Sequence, residues 1–392
     1  MDKSLLVVEI QEFIDSNLNA DIARLALQKS KFPNSDWTSI LNQIAAKQKA
    51  KIKLPTWFNA SGIYYPGKIS IEQTSSEKTA EYKSKLVSGN RLIDLTGGFG
   101  VDDFYFAKNI NQLIHCEINT ELSEIVVHNL EQLGIENIQC IAGDSSEILK
   151  NLNQQFDWIY IDPSRRNDVK GKVFMLRDCL PNVPDLLDFY FSFASNIMIK
   201  AAPILDISAG LSELKSVKSI HIVALENEVK ELLWILEKNY SGNITIVTSN
   251  LTKETVEEFC FELGNHTVSN FSLPKKYLFE PNAAIMKSGG FDEIETQFDV
   301  KKLHQHSHLY TSGTLTEFPG RIFEIESSFE YNKQNMKAFL ERKKANITTR
   351  NFPETVENIR KKWKINDGGN QYCFFTTDVN NNKIVLLCSK LK

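Results

Sequence analysis

The stretch Arg91-Leu-Ile-Asp-Leu-Thr-Gly-Gly-Phe-Gly-Val-Asp102 constrains this chain more than any other. Arg91 to Leu95 reads as a short buried strand. Gly97, Gly98 and Gly100 then give a turn with no Cβ on the side a ligand would approach, and Val101 to Asn109 has helical spacing. Strand, glycine turn and helix in that order make a nucleotide-type cradle, with backbone pressed against the ligand and a helix N-terminus nearby.

Two common occupants of such a cradle are disfavoured. The dinucleotide fingerprint needs a third glycine three residues after the second, and Asp103 stands there. A phosphate-binding P-loop needs Lys-Ser/Thr after its last glycine, and Val101 and Asp102 follow Gly100. Asp94, at the strand end directly before the glycines, would repel a pyrophosphate and hold an ammonium group. These features point to S-adenosylmethionine.

With these residues in place the chain resembles the class I (Rossmann-like) methyltransferases, and the resemblance continues in order. Asp94-Leu-Thr-Gly-Gly-Phe-Gly100 matches the first family motif. Glu117, ending the strand Leu113 to Cys116, matches the acid that grips both ribose hydroxyls. Asp144, after Ile138 to Ala142, matches the residue facing the adenine amino group, and Asp162-Pro-Ser-Arg165, after Phe156 to Ile161, matches the catalytic loop in position and partly in letters. The cofactor residues so implied are Asp94, Gly97, Gly98, Gly100, Glu117 and Asp144. Each acid could instead cap the helix that follows it, but capping does not require an acid at every successive strand end. In this family a helix before the first strand often covers the methionine end of the cofactor. Ser75 and Ser76, opening the helix Gln73 to Leu86, are therefore further expected contacts, with Ser75 or Ser76 as N-cap and Glu77 completing a capping box.

At 392 residues the chain is too long for one ordinary core. Residues 1–55 read as helices, with Ile10, Phe13, Ile14 and Leu18 on one stripe, and Trp37, Ile40, Leu41 and Ile44 on another behind a Ser35 N-cap. Residues 56–270 form the methyltransferase domain. Its strands and helices alternate as a doubly wound, mostly parallel sheet requires, with a helix expected over Glu228 to Tyr240 between the sixth and seventh strands. The expected fold is thus α/β, with N-terminal helices and a C-terminal α+β module.

Beyond Thr252 the alternation stops. The elements over 319–392, with Ala345-Asn-Ile-Thr-Thr-Arg-Asn-Phe-Pro353 and Asp367-Gly-Gly369, resemble the THUMP-like domain of a little-characterised bacterial methyltransferase family. That resemblance implies a small ferredoxin-like domain at 271–318. His304, His306 and His308 alternate as on a strand face, but no acid or cysteine partner is evident and no metal is expected.

Charge is uneven. Tyr331 to Lys392 holds 13 Lys and Arg against five Asp and Glu, so the first 330 residues carry a net −12 of the chain's −4. A basic THUMP-like module implies RNA, tRNA or rRNA, held mainly through phosphates. A protein or small-molecule acceptor and a non-catalytic binding module are the competing readings. Six scattered cysteines without a C-x-x-C pair, an early acidic residue at Glu9 and no run of 18 apolar residues lead to the expectation of a cytoplasmic protein without a membrane segment.

For the chemistry, Ser164 and Arg165 stand where base-amine methylating enzymes carry proline and an aromatic, so a flipped base would lack its stacking partner. The 5-methyluridine enzymes use a cysteine after strand five, where this chain has Lys200-Ala-Ala-Pro203. Direct in-line transfer to nitrogen or oxygen is expected. In it, Asp162 orients or deprotonates the nucleophile, and Arg165 or Lys200 holds a nearby phosphate or carbonyl.

Overall fold

The computed structural model describes residues 1–165, 175–265 and 268–392, without the side chains of residues 68–70 and 165. The chain forms two compact units, residues 1–220 with 231–242 and residues 221–230 with 243–392.

The first unit opens with helices Val8–Ser16, Ile22–Ala26, Trp37–Lys53 and Pro55–Asn59. Asp36, rather than the expected Ser35, caps the long helix by accepting from the backbone N–H groups of Thr38 and Ser39. Ile40, Leu41 and Ile44 are buried together with Ile10, Ile14 and Leu25, as their spacing requires. Pro55 starts a new helix, because its missing N–H costs nothing at that position. Lys47 is buried and paired with Asp15.

The strands of this part are β1 Gly89–Asp94, β2 Ile110–Glu117, β3 Ile138–Ala142, β4 Phe156–Ile161, β5 Ser164–Arg165, β6 Cys179–Leu180, β7 Ala194–Ala201, β8 Val217–Leu225 and β9 Glu228–Glu237. Within the first unit the sheet runs β9-β7-β4-β1-β2-β3. Strands β3, β2, β1, β4 and β7 are parallel, and β9 is antiparallel to β7. The order reverses between β1 and β4, which opens a crevice at their carboxyl ends. Strands β5 and β6 form a small separate ladder.

Strand β9 corrects the expected helix at Glu228 to Tyr240. Leu232 to Leu236 are all buried, and a continuous apolar run carries no period to tell strand from helix. The turn before it, Glu226 and Asn227, has φ of 50° and 65°, the two positive values that a two-residue hairpin needs. The tight hairpin usual at this edge is therefore present.

The second unit contains the hairpin of β10 Thr245–Leu251 and β11 Val256–Glu262. Its main sheet is built from β12 Tyr277–Pro281, β13 Lys301–Lys302, β14 Tyr310–Ser312, β15 Gly320–Glu330, β16 Asn346–Thr349, β17 Tyr372–Thr377 and β18 Lys383–Lys390, in the order β13-β14-β12-β15-β18-β17-β16. The segments read as ferredoxin-like and THUMP-like share this sheet through the β12–β15 ladder. Helices Lys333–Phe339 and Val356–Trp363 bury Met336, Ile359 and Trp363 against Phe375, Val385 and Leu387.

The three histidines do not form a strand face. Residues 304–308 lie in turns, where His304 bonds Asn381 and Asn351, and His308, with φ of 52°, stacks on Phe291. Alternation in sequence was misleading because the chain turns back at Ser307, whose hydroxyl donates to the His304 carbonyl. Among the described residues no group of three or more His, Cys, Asp or Glu is placed to hold a metal, and no helix is long and apolar enough to cross a membrane. No disulfide joins any of the cysteines among the described residues, and Cys116, Cys179, Cys373 and Cys388 are buried.

Candidate functional site

The glycine turn is fixed by hydrogen bonds that its own sequence supplies. The Leu95 N–H donates to the Tyr160 carbonyl at 3.0 Å, and the Gly97 N–H donates to Cys116 at 2.8 Å, so the turn is anchored to β4 and β2 at once. Thr96 links its two neighbours in function. Its N–H and hydroxyl donate to Asp94 Oδ1 at 2.7 and 3.1 Å, and its hydroxyl accepts the Asp162 N–H at 2.7 Å. Gly98 and Gly100 have φ of 56° and 73°, values that L side chains avoid. The Gly98 N–H donates to Glu117 Oε2 at 3.0 Å, which sets that carboxylate against the turn.

Beneath the turn lies a buried pair. Asp103 Oδ2 and His115 Nδ1 are 2.6 Å apart, both side chains fully enclosed. Burial pushes the Asp103 carboxyl well above its ordinary value and the His115 imidazole below its own, so both shifts favour the neutral partners. The imidazole also explains Gly97, where an added Cβ would fall 2.1 Å from the ring.

A cavity of about 210 Å³ opens at the β1–β4 crevice. It brings together the expected residues Asp94, Gly97, Gly98, Gly100, Ser75, Asp162 and Lys200, with Thr96, Asp102 and Tyr160 added by the fold. Lys200 Nζ donates to Asp162 Oδ2. Burial opposes the Lys200 charge, but the carboxylates of Asp162, Asp102 and Glu231 outweigh it and hold its pKa above the usual lysine value. Lys200 is thus a permanent cation committed to Asp162, and its expected role as a phosphate holder has to compete with that bond.

Other expected residues sit elsewhere. Ser76, not Ser75, caps helix Glu77–Ser84, accepting the Thr79 N–H at 3.2 Å. Glu77 completes no capping box; it accepts instead from Thr56 and Tyr105. Glu117 is half-buried at the end of β2. Asp144 is exposed at the end of β3, where it caps helix Ser145–Leu152 through the N–H groups of Ser146 and Glu147. Asp94, Glu117 and Asp144 still stand at three neighbouring strand ends, spanning about 10 Å along the sheet edge. The Arg165 side chain lies outside what the structure describes, as does Arg166.

Sequence reading missed the charged network behind the cavity. Lys83, fully buried, donates to both oxygens of Glu231 at 2.7 and 2.8 Å and to Ser75 Oγ at 3.1 Å, and lies 3.2 Å from Asp102 Oδ1. Asp102 Oδ2 accepts from Tyr160 at 2.7 Å and Ser75 at 2.9 Å. Glu231 was hidden because its segment was read as a helix. Lys83 was hidden because a lysine on a polar helix normally faces water.

The buried imidazole gives a specific expectation. Gly97→Ala should lower stability by about 2–3 kcal/mol, the cost of overpacking, while Gly98→Ala, which meets no atom nearer than 3.7 Å, should cost about 1–2 kcal/mol from its backbone conformation alone. Denaturant melts should show the Gly97 loss partly relieved by His115→Ala in the same chain.

Comparison with known proteins agrees with this geometry. Residues 277–319 match a ferredoxin-like domain model and residues 320–390 match a THUMP domain-like model. Among curated proteins no sequence matches. Two methyltransferase structures align weakly. One is an rRNA methylase from Streptococcus thermophilus (13% identity, 41% of this chain, 94% of that one, TM-score 0.30). The other is M. capricolum TrmK with S-adenosyl-homocysteine (16%, 45%, 70%, TM-score 0.32). A candidate methyltransferase from Porphyromonas gingivalis W83, solved as a crystal structure, is 31% identical over 100% of this chain and 99% of that one, with a TM-score of 0.88. The chain therefore belongs to the family of class I methyltransferases that carry a ferredoxin-like segment and a C-terminal THUMP-like domain.

Proposed function

We propose that this protein transfers a methyl group from S-adenosylmethionine to an RNA nucleophile in the cytoplasm. The observation that carries the reading is one cavity at the β1–β4 crevice that joins the glycine turn and its acids to Asp162 and Lys200. The donor set suits this cofactor. The cavity offers carboxylates to a positive charge, the turn offers bare backbone at Gly98, and Glu117 and Asp144 lie along the strand ends where an adenosine would extend. Bound there, the cofactor supplies a methyl group activated on a sulfonium centre.

The chain's own residues supply positioning and proton transfer. Asp162 is half-exposed, with its backbone tied to Thr96 and its side chain to Lys200, so one carboxylate oxygen is fixed and the other is available to an incoming N–H or O–H. A carboxylate so placed orients the nucleophile and accepts its proton as the methyl bond forms. No cysteine lines the cavity among the described residues, which supports direct transfer over a covalent intermediate. Asp162→Ala should lower turnover about a hundredfold or more with cofactor affinity nearly unchanged, measured by single-turnover assay and calorimetry.

The RNA reading rests on the THUMP domain-like match and on where its cations lie. Arg350 is committed to Glu280, Arg360 to Asp367 and Lys362 to Glu354. Arg342, Lys343, Lys344, Lys361 and Lys364 are exposed. Backbone bonds from Arg342 to Trp363 and from Asn366 to Lys343 bring most of them to one surface. Reversing charge at Lys343, Lys344, Lys361 and Lys364 should flatten the salt dependence of RNA binding by about one unit of slope per residue, with cofactor binding untouched. The acceptor itself is tested with labelled cofactor and total RNA from cells lacking the gene, digested to nucleosides. Label in a modified nucleoside supports the reading; label in protein or small molecules alone, or none, overturns it.

A further inference from the structure

The expected ammonium-binding acid was Asp94, yet the structure gives it a poor environment for charge. Asp94 is almost fully buried and spends Oδ1 on Thr96. Burial and the nearby Asp103 push its carboxyl well above the usual range. A carboxyl that keeps its proton offers a cation little.

Asp102, eight residues on, is built differently. Its side chain reaches the same cavity wall, 12% exposed, and Oδ2 receives two hydrogen bonds from Tyr160 and Ser75. Its Oδ1 is itself buried and makes an ion pair with Lys83 at 3.2 Å rather than a hydrogen bond among the described residues. Lys83 and Lys200, with those hydrogen bonds, outweigh burial and hold the Asp102 carboxyl below its ordinary value.

The charges around it do not balance. Lys83 makes its two short bonds to Glu231 and only a longer ion pair to Asp102. Lys200 is bonded to Asp162. Two ammonium groups therefore serve three carboxylates, Asp102, Glu231 and Asp162, and of the three Asp102 makes the longest contact to an ammonium, 3.2 Å to Lys83. With the three carboxylates ionised the group carries net negative charge, which attracts a cation entering the cavity.

We propose that Asp102 is the carboxylate that binds the positive charge of the cofactor, and that Lys83, itself fixed by Glu231, is a positioning residue that holds it ionised at the cavity wall. This rests on the S-adenosylmethionine reading of the cavity. The cofactor carries two cationic groups, the methionyl ammonium and the sulfonium, and either is the chemistry Asp102 answers.

Calorimetric titration of the full chain with three probes tests this: S-adenosylmethionine, S-adenosylhomocysteine, and the analogue of S-adenosylhomocysteine without its amino group. The first step removes the methyl group and with it the sulfonium charge, and the second removes the ammonium. The wild type should bind the charged member of one of these pairs at least tenfold more tightly than its counterpart. Asp102→Asn should close that gap, Asp94→Asn should keep it, and Lys83→Gln should narrow it with recovery in Lys83→Arg. Closure between the first two probes identifies the sulfonium; closure between the last two identifies the ammonium. A residue with only a structural role would weaken all three probes alike, and that result for Asp102→Asn overturns the proposal. So does a gap closed by Asp94→Asn, or equal wild-type affinity for all three probes, which needs no variant at all. Failure of the wild type to bind any probe would remove the cofactor reading itself, whereas binding of all three without charge preference removes only the role of Asp102.

Discussion

One buried ammonium organises the site in the first unit. Lys83 has no exposed surface, and a lysine there without partners would cost several kcal/mol. The fold answers with Glu231 from β9, Asp102 from the helix after the glycine turn, and Ser75 from the segment that covers the cavity. The Ser75–Lys83 segment, the helix after the glycine turn and β9 are thereby fixed to one point. The cover formed by Gln73 to Ser75 is tied down through the same ammonium, so the cavity wall and the charge inside it are set together.

The glycine turn depends on a second enclosed contact. Gly97 is required by the His115 ring below it, while Gly98 and Gly100 are required by backbone conformation. Three glycines that look alike in sequence therefore answer to different causes. The strand order places this turn beside the Asp162 loop, and Thr96 joins the two through a single hydroxyl that donates to one side and accepts from the other. The glycine turn and the Asp162 loop are thus mechanically linked.

What the sequence disclosed follows from the range of the interactions involved. The strand, turn and helix at Arg91 to Asn109 were legible because glycine, burial and helical spacing are local signals, and the acids at the ends of β1, β2 and β3 were legible because they recur in chain order. Local signals failed where a run was apolar throughout, as at Leu232 to Leu236, or where a turn interrupted an alternation, as at His304 to His308. They failed again for caps, since Asp36 and Ser35 are both competent and the choice depends on where the helix axis starts. The Lys83–Glu231 pair, separated by 148 residues, leaves no local trace. In the second unit the basic count was legible but its use was not, because Arg350, Arg360 and Lys362 are paired with acids, Glu280, Asp367 and Glu354, that no spacing rule connects to them.

The central claim is that the crevice between β1 and β4 is a site for S-adenosylmethionine. Titration of the purified chain with this cofactor in a calorimeter tests it most directly. A saturable heat with one equivalent bound per chain, lost in Glu117→Ala and absent with NADH, is the expected result; no heat with S-adenosylmethionine, or binding of NADH in its place, would contradict it.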